Sequence, residues 1–478
     1  MSNSNVDKYK YLFVNVIAFL CGSLGTKLIS FLMVPLYTNI LIPDEYGEID
    51  LILSIAGVIS PFIACGIHEA IMRFSLDKGA DRELVLSIGL RVFFISSLAF
   101  LALCPLLLFI PIISQNILFL YFYCILNELM TISLCYIRGK DNIKLYSFLG
   151  FFSALFTAFL NILFLVFLKW GLFGYKISML ISPVLTVAVS FALGKIQNDI
   201  SLKKWDKDLA GQMLKYSLIL IPNSILWWCI NASDRFFVTY MCGTAANGIY
   251  AVSYKIPTLL NTVAAIFMQS WQMSAIREHE NGEEPKFYNQ IYRQLVFLMG
   301  CATLGLMLIN KTVLQVYVGK EYQEAWFYSP PLIISFFVGS IGTFWGSFYI
   351  ASKNMRKYLN SAIVGAIINI VLNFILISFF GTIGAAIATM ISYFFIMIIR
   401  AIGIQNDINV SFLNFQVVST FICVFISLGL SYLPTFLSLG MGTINIIIYI
   451  CLNRKQFVLL LKLAGAVLNK IRGKTVKY

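Results

Sequence analysis

The sequence predicts an all-α polytopic membrane protein with about fourteen transmembrane helices: two six-helix lobes in a pseudo-twofold arrangement around a central cavity, plus two peripheral helices. Three observations predict it. Apolar stretches of about twenty residues follow one another along almost the whole 478-residue chain. The charges collect in alternate gaps between them. Two segments of the first half recur, in order, in the second.

The spans read as 11–38, 47–71, 84–110, 117–137, 146–168, 171–194, 213–240, 249–275, 293–317, 327–351, 358–379, 382–402, 412–433 and 435–452. Leu295 to Val318 is typical, with Lys311 its only charge. At about 1.5 Å per residue such a run crosses roughly 30 Å of hydrocarbon, and in lipid its backbone must be satisfied internally, as a helix. Composition agrees. Hydrophobic residues make up 59% of the chain and charged ones 12%, against roughly a quarter charged in a soluble domain, so no large soluble domain fits.

Connections on one side are short, as at Pro111 to Asn116, Cys242 to Gly248 and Phe380 to Thr382; those on the other side are long and basic. With charges near helix ends ascribed to the adjacent loop, only Lys169 and Lys320 lie in the opposite loops. Lys27, Arg91, Lys176, Arg235, Lys255 and Lys311 fall within spans, and the remaining Lys and Arg lie on the side of the N-terminus. Basic loops stay cytoplasmic, so both termini are expected there. The net charge of +13 is therefore a topology signal, and no nucleic-acid partner is expected. The first apolar run lacks a small-residue cleavage site and continues for a full span, so helix 1 is expected to be retained. Ten cysteines sit singly among apolar residues, without C-x-x-C spacing.

Ile137-Arg-Gly-Lys140-Asp-Asn-Ile-Lys144, between helices 4 and 5, is matched by Ile350-Ala-Ser-Lys353-Asn-Met-Arg-Lys357, between helices 10 and 11. Gly171-Leu-Phe-Gly174, opening helix 6, is matched by Gly381-Thr-Ile-Gly384, opening helix 12. The offsets are 213 and 210 residues. Six helices per repeat is an even number, so both halves enter from the same side and form parallel repeats, a transporter architecture with its site between halves. The expected domains are 1–200 (helices 1–6), 201–408 (helices 7–12), and 409–478 (helices 13 and 14 with a basic interfacial tail).

Ser30-Phe-Leu-Met-Val-Pro35-Leu-Tyr37-Thr38, Glu45-Tyr-Gly47, Glu69-Ala-Ile-Met-Arg73-Phe74 and Ser233-Asp234-Arg235-Phe236-Phe237 resemble the bacterial Wzx-type polysaccharide flippases. These belong to the multidrug/oligosaccharidyl-lipid/polysaccharide (MOP) superfamily, and the resemblance covers the first twelve helices. It implies flipping of an undecaprenyl-pyrophosphate-linked glycan repeat unit, of O-antigen or capsule type, from the cytoplasmic to the outer leaflet of a bacterial inner membrane. It also implies a cavity with alternating access, and polysaccharide polymerase and chain-length machinery as partners.

Charges at membrane depth bear on that implication, since each cation there costs roughly 2.5–3.5 kcal/mol and calls for a wet cavity or a partner. Lys27, Arg235, Lys255, Lys176 and Arg91 are the candidate cavity cations. They suit a pyrophosphate, which Arg grips bidentately and Lys attracts as a point charge, better than a cationic drug. Lys255, Lys176 and Arg91 also read as snorkelling side chains. Glu69, Arg73, Glu128 and Asp234 are candidate gate or coupling residues. Glu69 and Arg73, at i and i+4, read first as a helix ion pair and second as a gate latch between lobes, and Glu128 as a carrier of a coupling Na+ or H+ or as the partner of a neighbouring cation. No other cofactor and no metal site is expected. Prolines 35, 61, 183, 222 and 257 are expected to kink their helices.

Enzyme classes find little support. There is no G-x-x-x-x-G-K-[ST] loop, the two histidines, His68 and His279, lack metal-ligand spacing, and Asp206-Lys-Asp208 is a D-x-D triplet without a domain to hold a nucleotide sugar. Two alternatives stand beside the flippase: an ion-coupled multidrug exporter, marked by intramembrane acids such as Glu128 and Asp234, and a non-transporting scaffold for glycan assembly, in which buried cations would be unnecessary.

Overall fold

Long apolar runs become α-helices in the computed structural model, which describes residues 24–459 other than 78, 108, 110, 202, 282–284, 353, 406–411 and 413; no strand occurs among them. Among the described residues 11 helices are long and apolar enough to cross a membrane, and Phe415–Ser431, with 17 residues, is a shorter apolar helix. Large apolar side chains such as Leu98, Leu118, Phe374 and Phe436 are exposed around the helices, as a lipid solvent requires. The chain is thus an all-α, multi-pass membrane protein. The basic tail beyond residue 459 and the first half of predicted helix 1 lie outside the described residues.

Several predicted spans are broken. Predicted helix 1 is seen as α1 (24–32) and α2 (Val34–Ile40), with a turn at Met33 and Pro35 in the first turn of α2, where its missing N–H costs little. Predicted helix 2 is α3 (Pro43–Ile63) and α4 (Ile67–Ser75); between them Cys65 and Gly66 take left-handed backbone, and the Ser96 hydroxyl donates to the freed Ile63 carbonyl at 2.7 Å. Predicted helix 7 is α9 (Lys207–Asn231) and α10 (Ser233–Cys242). Its break is at Ala232, ten residues past Pro222, the kink expected from sequence. Predicted helix 8 is α11 (Thr244–Ser253) and α12 (Lys255–Asn281).

The chain divides into two units, Met1–Gly248 and Ile249–Tyr478. In the first, α6 (Pro111–Gly139) is central: it packs on α3, α4, α5 (Arg82–Leu107), α7 (Ile143–Asn161) and α8 (Gly171–Gly194). Helices α9 and α10, which the repeat counts with the second lobe, pack here on α3, and α9 also on α4. In the second unit α14 (Ala325–Ala351) is the core, with most of its apolar length buried; α12, α13 (Pro285–Tyr317) and α16 (Thr382–Gln405) pack on it, and α15 (Met355–Phe380) on α16. Trp271, Tyr292, Phe344 and Trp345 stack in that core, with ring centroids from 4.8 Å apart. Helices α17 (Phe415–Ser431) and α18 (Thr435–Leu452), predicted to be peripheral, pack on α13 and each other.

The repeat motifs acquire physical meaning within each unit. Asn142 caps α7 by accepting from Leu145 N, and Asn354 caps α15 by accepting from Lys357 N. These equivalent caps are 212 residues apart, one fewer than the motif alignment gives. Gly171 and Gly381 both have positive φ, 55° and 65°, at the tight links into α8 and α16. Gly174 and Gly384 allow close approach, since a Cβ there would crowd Phe164 and the Leu376 carbonyl respectively.

Candidate functional site

The first unit gathers most of the candidate charges into two clusters. One is built on the opening turns of α3. Glu48 Oε1 accepts from Lys176 Nζ at 3.0 Å and from Asn116 Nδ2 at 2.9 Å, and Lys176 also donates to Asn116 Oδ1 at 2.7 Å, closing a triangle across α3, α6 and α8. Two residues on, Asp50 Oδ2 lies 3.3 Å from Arg235 Nε, with Asp50 15% and Arg235 22% exposed. The break at Ala232 positions this arginine. Ser54 of α3 donates to the Ala232 carbonyl at 3.4 Å, and Trp228 Nε1 donates back to the Ser54 carbonyl at 2.7 Å, so α10 begins against α3. Asp234, beside it, is buried and accepts from the Arg235 N–H at 2.9 Å.

Glu48 and Asp50 are the residues that sequence reasoning missed. They stand in the second turn of α3 and read as charges at a span end. The available signal was Glu48-x-Asp50 itself, an acidic pair at the start of predicted span 2, opposite in sign to the cations of spans 6 and 7. The expected excess of cations at depth is to that extent reduced: Lys176 and Arg235 each have an acidic partner.

The second cluster lies around the α3–α4 break. His68 Nδ1 is 3.2 Å from Glu128 Oε2 of α6, and His68 Nε2 is 3.9 Å from Glu69 Oε1. Glu128 is nearly buried. The expected Glu69–Arg73 helix pair does not form: Arg73 turns the other way, to Asp77 in the following turn, and both side chains of that pair are half exposed. A cavity of about 280 Å³ opens beside the cluster, lined by His68, Glu69, Tyr216, Ser217, Leu220 and Ser224 among others.

The remaining candidates are dispersed. Arg91 of α5 reaches the Ser201 carbonyl at 3.5 Å and stacks over the Trp205 ring at 5.5 Å. Lys27 is exposed on α1. Lys255 is half-buried at the start of α12, in the second unit. Asp206 of the D-x-D triplet caps α9, accepting from Asp208 N and Leu209 N, which accounts for that motif without chemistry. Two cations of the second unit also find partners: Lys311 donates to the Leu433 carbonyl and lies over Trp326, and Arg400, ascribed from sequence to a loop, is buried in α16, donating to Ser361 Oγ and the Gly342 carbonyl.

The residues of the resembling motifs do structural work nearby. Tyr37 accepts from Asn161 Nδ2 at 3.0 Å, packs edge-on to Tyr175 at 4.9 Å, and Asn161 Oδ1 accepts from Ser178. This buried network ties α2 to α7 and α8.

Residues 12–271, more than half of the chain, match the family described as polysaccharide biosynthesis protein. Over 245 residues the chain is 24% identical to the probable low-salt glycan biosynthesis flippase Agl15 of Haloferax volcanii, covering 50% of this chain and 51% of that protein. The chain thus spans about half the length of the curated relative it matches. Among solved structures it is similar to the lipid II flippase MurJ in an inward closed conformation, with a TM-score of 0.66 and 14% identity over 92% of this chain and 100% of that one. It is similar also to a MOP superfamily transporter from Pyrococcus furiosus, with a TM-score of 0.59 and 14% identity over 84% and 96%. These likenesses show a shared fold.

Proposed function

The chain belongs to the polysaccharide biosynthesis protein family, and from that premise we propose that it is a transporter, not an enzyme: a flippase for lipid-linked glycan. Its cargo on this reading is an undecaprenyl-pyrophosphate-linked repeat unit, moved from the cytoplasmic to the outer leaflet of a bacterial cytoplasmic membrane in which both termini face the cytoplasm. Polysaccharide polymerase and chain-length machinery would take up the product.

The observation that carries the reading is the Asp50–Arg235 pair. The Arg235 side chain keeps 22% of its surface exposed, and the Asp50 carboxylate 3.3 Å from it is a ligand that a pyrophosphate can replace. Two phosphoryl groups offer more oxygens in the fork geometry that Arg prefers than one carboxylate does. Pairing with Asp50 holds the cation at low cost while no cargo is bound, because an unpaired cation at depth is expensive. Lys27, exposed on α1, supplies further attraction, and the prenyl chain stays in lipid, which avoids a loss of roughly 0.8 kcal/mol for each methylene drawn into water.

The test is export in a strain lacking the gene. Arg235→Ala, inserted at normal level, is expected to abolish surface polysaccharide, and Arg235→Lys to retain a fraction of it. Full export by a Lys27→Ala, Arg235→Ala, Lys255→Ala triple variant would sink the cationic-site mechanism.

A further inference from the structure

We propose that His68 and Glu128 form a proton-binding site by which a transmembrane proton gradient drives the conformational cycle; the second half of this statement rests on the transport reading above, the first does not.

Glu128 is nearly buried and its Oε2 is 3.2 Å from His68 Nδ1, so in the neutral imidazole the single N–H belongs on Nδ1, donating to the carboxylate. That leaves the lone pair of Nε2 facing Glu69 Oε1 at 3.9 Å, lone pair against carboxylate. Proton uptake at Nε2 converts this repulsion into attraction on both sides of the ring, since both nitrogens of an imidazolium donate. The proton has a route: Glu69 is 44% exposed and, with His68, lines the 280 Å³ cavity, whose other polar walls are Tyr216, Ser217 and Ser224.

The surroundings select a proton over a metal-like cation. Glu128 has an imidazole nitrogen as its near neighbour, whereas an alkali ion takes a cage of oxygens. Among the described residues no group of three His, Cys, Asp or Glu side chains could hold a metal. The elements packed most extensively on α4 are α5, α6 and α9. From α6 come Glu128, the Cys124 and Cys135 thiols on either side of it, and Arg138; from α9 comes Tyr216; from α5, Arg82 donates to the Ser75 carbonyl at the far end of α4; α4 itself adds Glu69 and Arg73, the latter engaged by Asp77. The charge that answers an imidazolium is therefore that of Glu128 and Glu69.

The site is also placed to move something. His68 is two residues past the left-handed Cys65–Gly66 link, and a Cβ on Gly66 would lie 3.3 Å from the Ser217 carbonyl of α9. A change in the pull between α4 and α6 is thus exerted at a break in the helix and against α9, the helix that leads to Arg235.

The chain has only two histidines, so a His279→Gln variant carries His68 alone and its imidazole can be titrated by ¹⁵N NMR in the intact protein. Glu128→Gln is expected to lower the midpoint of that titration by about one pH unit or more, and the exposed Glu69→Gln, which leaves the buried pair intact, to lower it less. An unshifted midpoint in Glu128→Gln overturns the site. In phosphatidylethanolamine–phosphatidylglycerol vesicles, an imposed proton gradient is expected to accelerate flipping of a fluorescent undecaprenyl-pyrophosphate disaccharide by wild type, while His68→Gln flips at the ungradiented rate. Acceleration that persists in His68→Gln, or that follows a sodium gradient instead, overturns the coupling. Wild type that flips nothing overturns the flippase reading, and the titration then decides the proton site by itself.

Discussion

Gly47 and Gly248 meet backbone to backbone: a Cβ built on Gly47 would lie 2.7 Å from Gly248 N, and one built on Gly248 would lie 3.0 Å from Gly47 N. The first would also overlap the Thr244 carbonyl and the second the Pro43 carbonyl. Pro43 and Thr244 are as far apart in sequence as Gly47 and Gly248, so each segment presents the same two positions to the other. Asn247 Nδ2 donates to the Gly47 carbonyl at 2.9 Å, and Thr244 bonds to Asp44, sealing the crossing. By the topology read from the basic loops, this seam is at the outer end of α3. Real Cβ atoms do not tolerate such distances from backbone, so the crossing requires glycine on both sides.

Gly47→Ala and Gly248→Ala are each expected to open the seam at a cost of about 1–3 kcal/mol, the range for overpacking a tight contact. In a cysteine-free background with Thr244→Cys, an impermeant thiol reagent added from outside should label either alanine variant severalfold faster than its glycine parent. Equal labelling rates would show that the crossing is not closed in the membrane.

The Glu48–Lys176–Asn116 triangle makes a second prediction. Lys176→Met leaves Glu48 without its cation in a site where both side chains are less than a third exposed, and the expected loss is about 1–3 kcal/mol. Asn116→Ala, which removes one neutral donor, should cost about 1 kcal/mol. The Glu48→Lys, Lys176→Glu exchange should recover part of the first loss in thermal unfolding. A double variant no better than the sum of its singles would show that the pair is not coupled.

Much of the fold was legible because a bilayer leaves a chain few options. Uninterrupted apolar length marks spans, and Gly171, Gly174, Gly381 and Gly384 announce the repeat, since tight links and close approach need glycine wherever they recur. The charged clusters were not legible in the same way. Asp50 and Arg235 are 185 residues apart, and Glu48 and Lys176 are 128 apart, so nothing local pairs them. Glu69 and Arg73 had the right helical spacing, yet Asp77 offered Arg73 an equivalent partner one turn further on. Arg400 looked like a loop charge because the predicted span ended at residue 402. The helix runs to Gln405 and buries it.

On the side that the basic loops mark, Lys204 bridges Asp81 and Glu83 at 2.9 and 2.7 Å. Hydrogen bonding from Lys204, with that from the Leu84 N–H, holds the Asp81 carboxyl below its usual range, and the same contacts, led by Glu83, hold the Lys204 ammonium above its own. The signs are opposite. The lowered carboxyl gives stability that is present above its unfolded value, about 4, and is lost as pH falls through its folded value; the raised ammonium gives stability present below about 10.5 and lost as pH rises beyond it. Thermal unfolding of wild type should therefore lose ground below about pH 4 more steeply than that of Lys204→Ala. Superimposable acid limbs would mean that the bridge is not maintained in solution.

An exchange of Asp50 for phosphate oxygens at Arg235, as proposed, would have a consequence that a purely structural ion pair lacks. If Asp50 competes with the anion, removing its charge strengthens anion binding, even though it also removes a favourable contact from the empty protein. Asp50→Asn keeps the shape and a hydrogen-bonding oxygen beside Arg235, while withdrawing the negative charge. Inorganic pyrophosphate should bind Asp50→Asn about tenfold more tightly than wild type, a difference of about 1.4 kcal/mol, and Arg235→Ala more weakly than either. Export, by contrast, should fall in Asp50→Asn, because a site that holds the pyrophosphate too firmly releases it slowly at the outer face. Calorimetric titration with pyrophosphate and the rate of export are independent measurements. Weaker pyrophosphate binding by Asp50→Asn would establish that the carboxylate positions the guanidinium for the anion instead of competing with it.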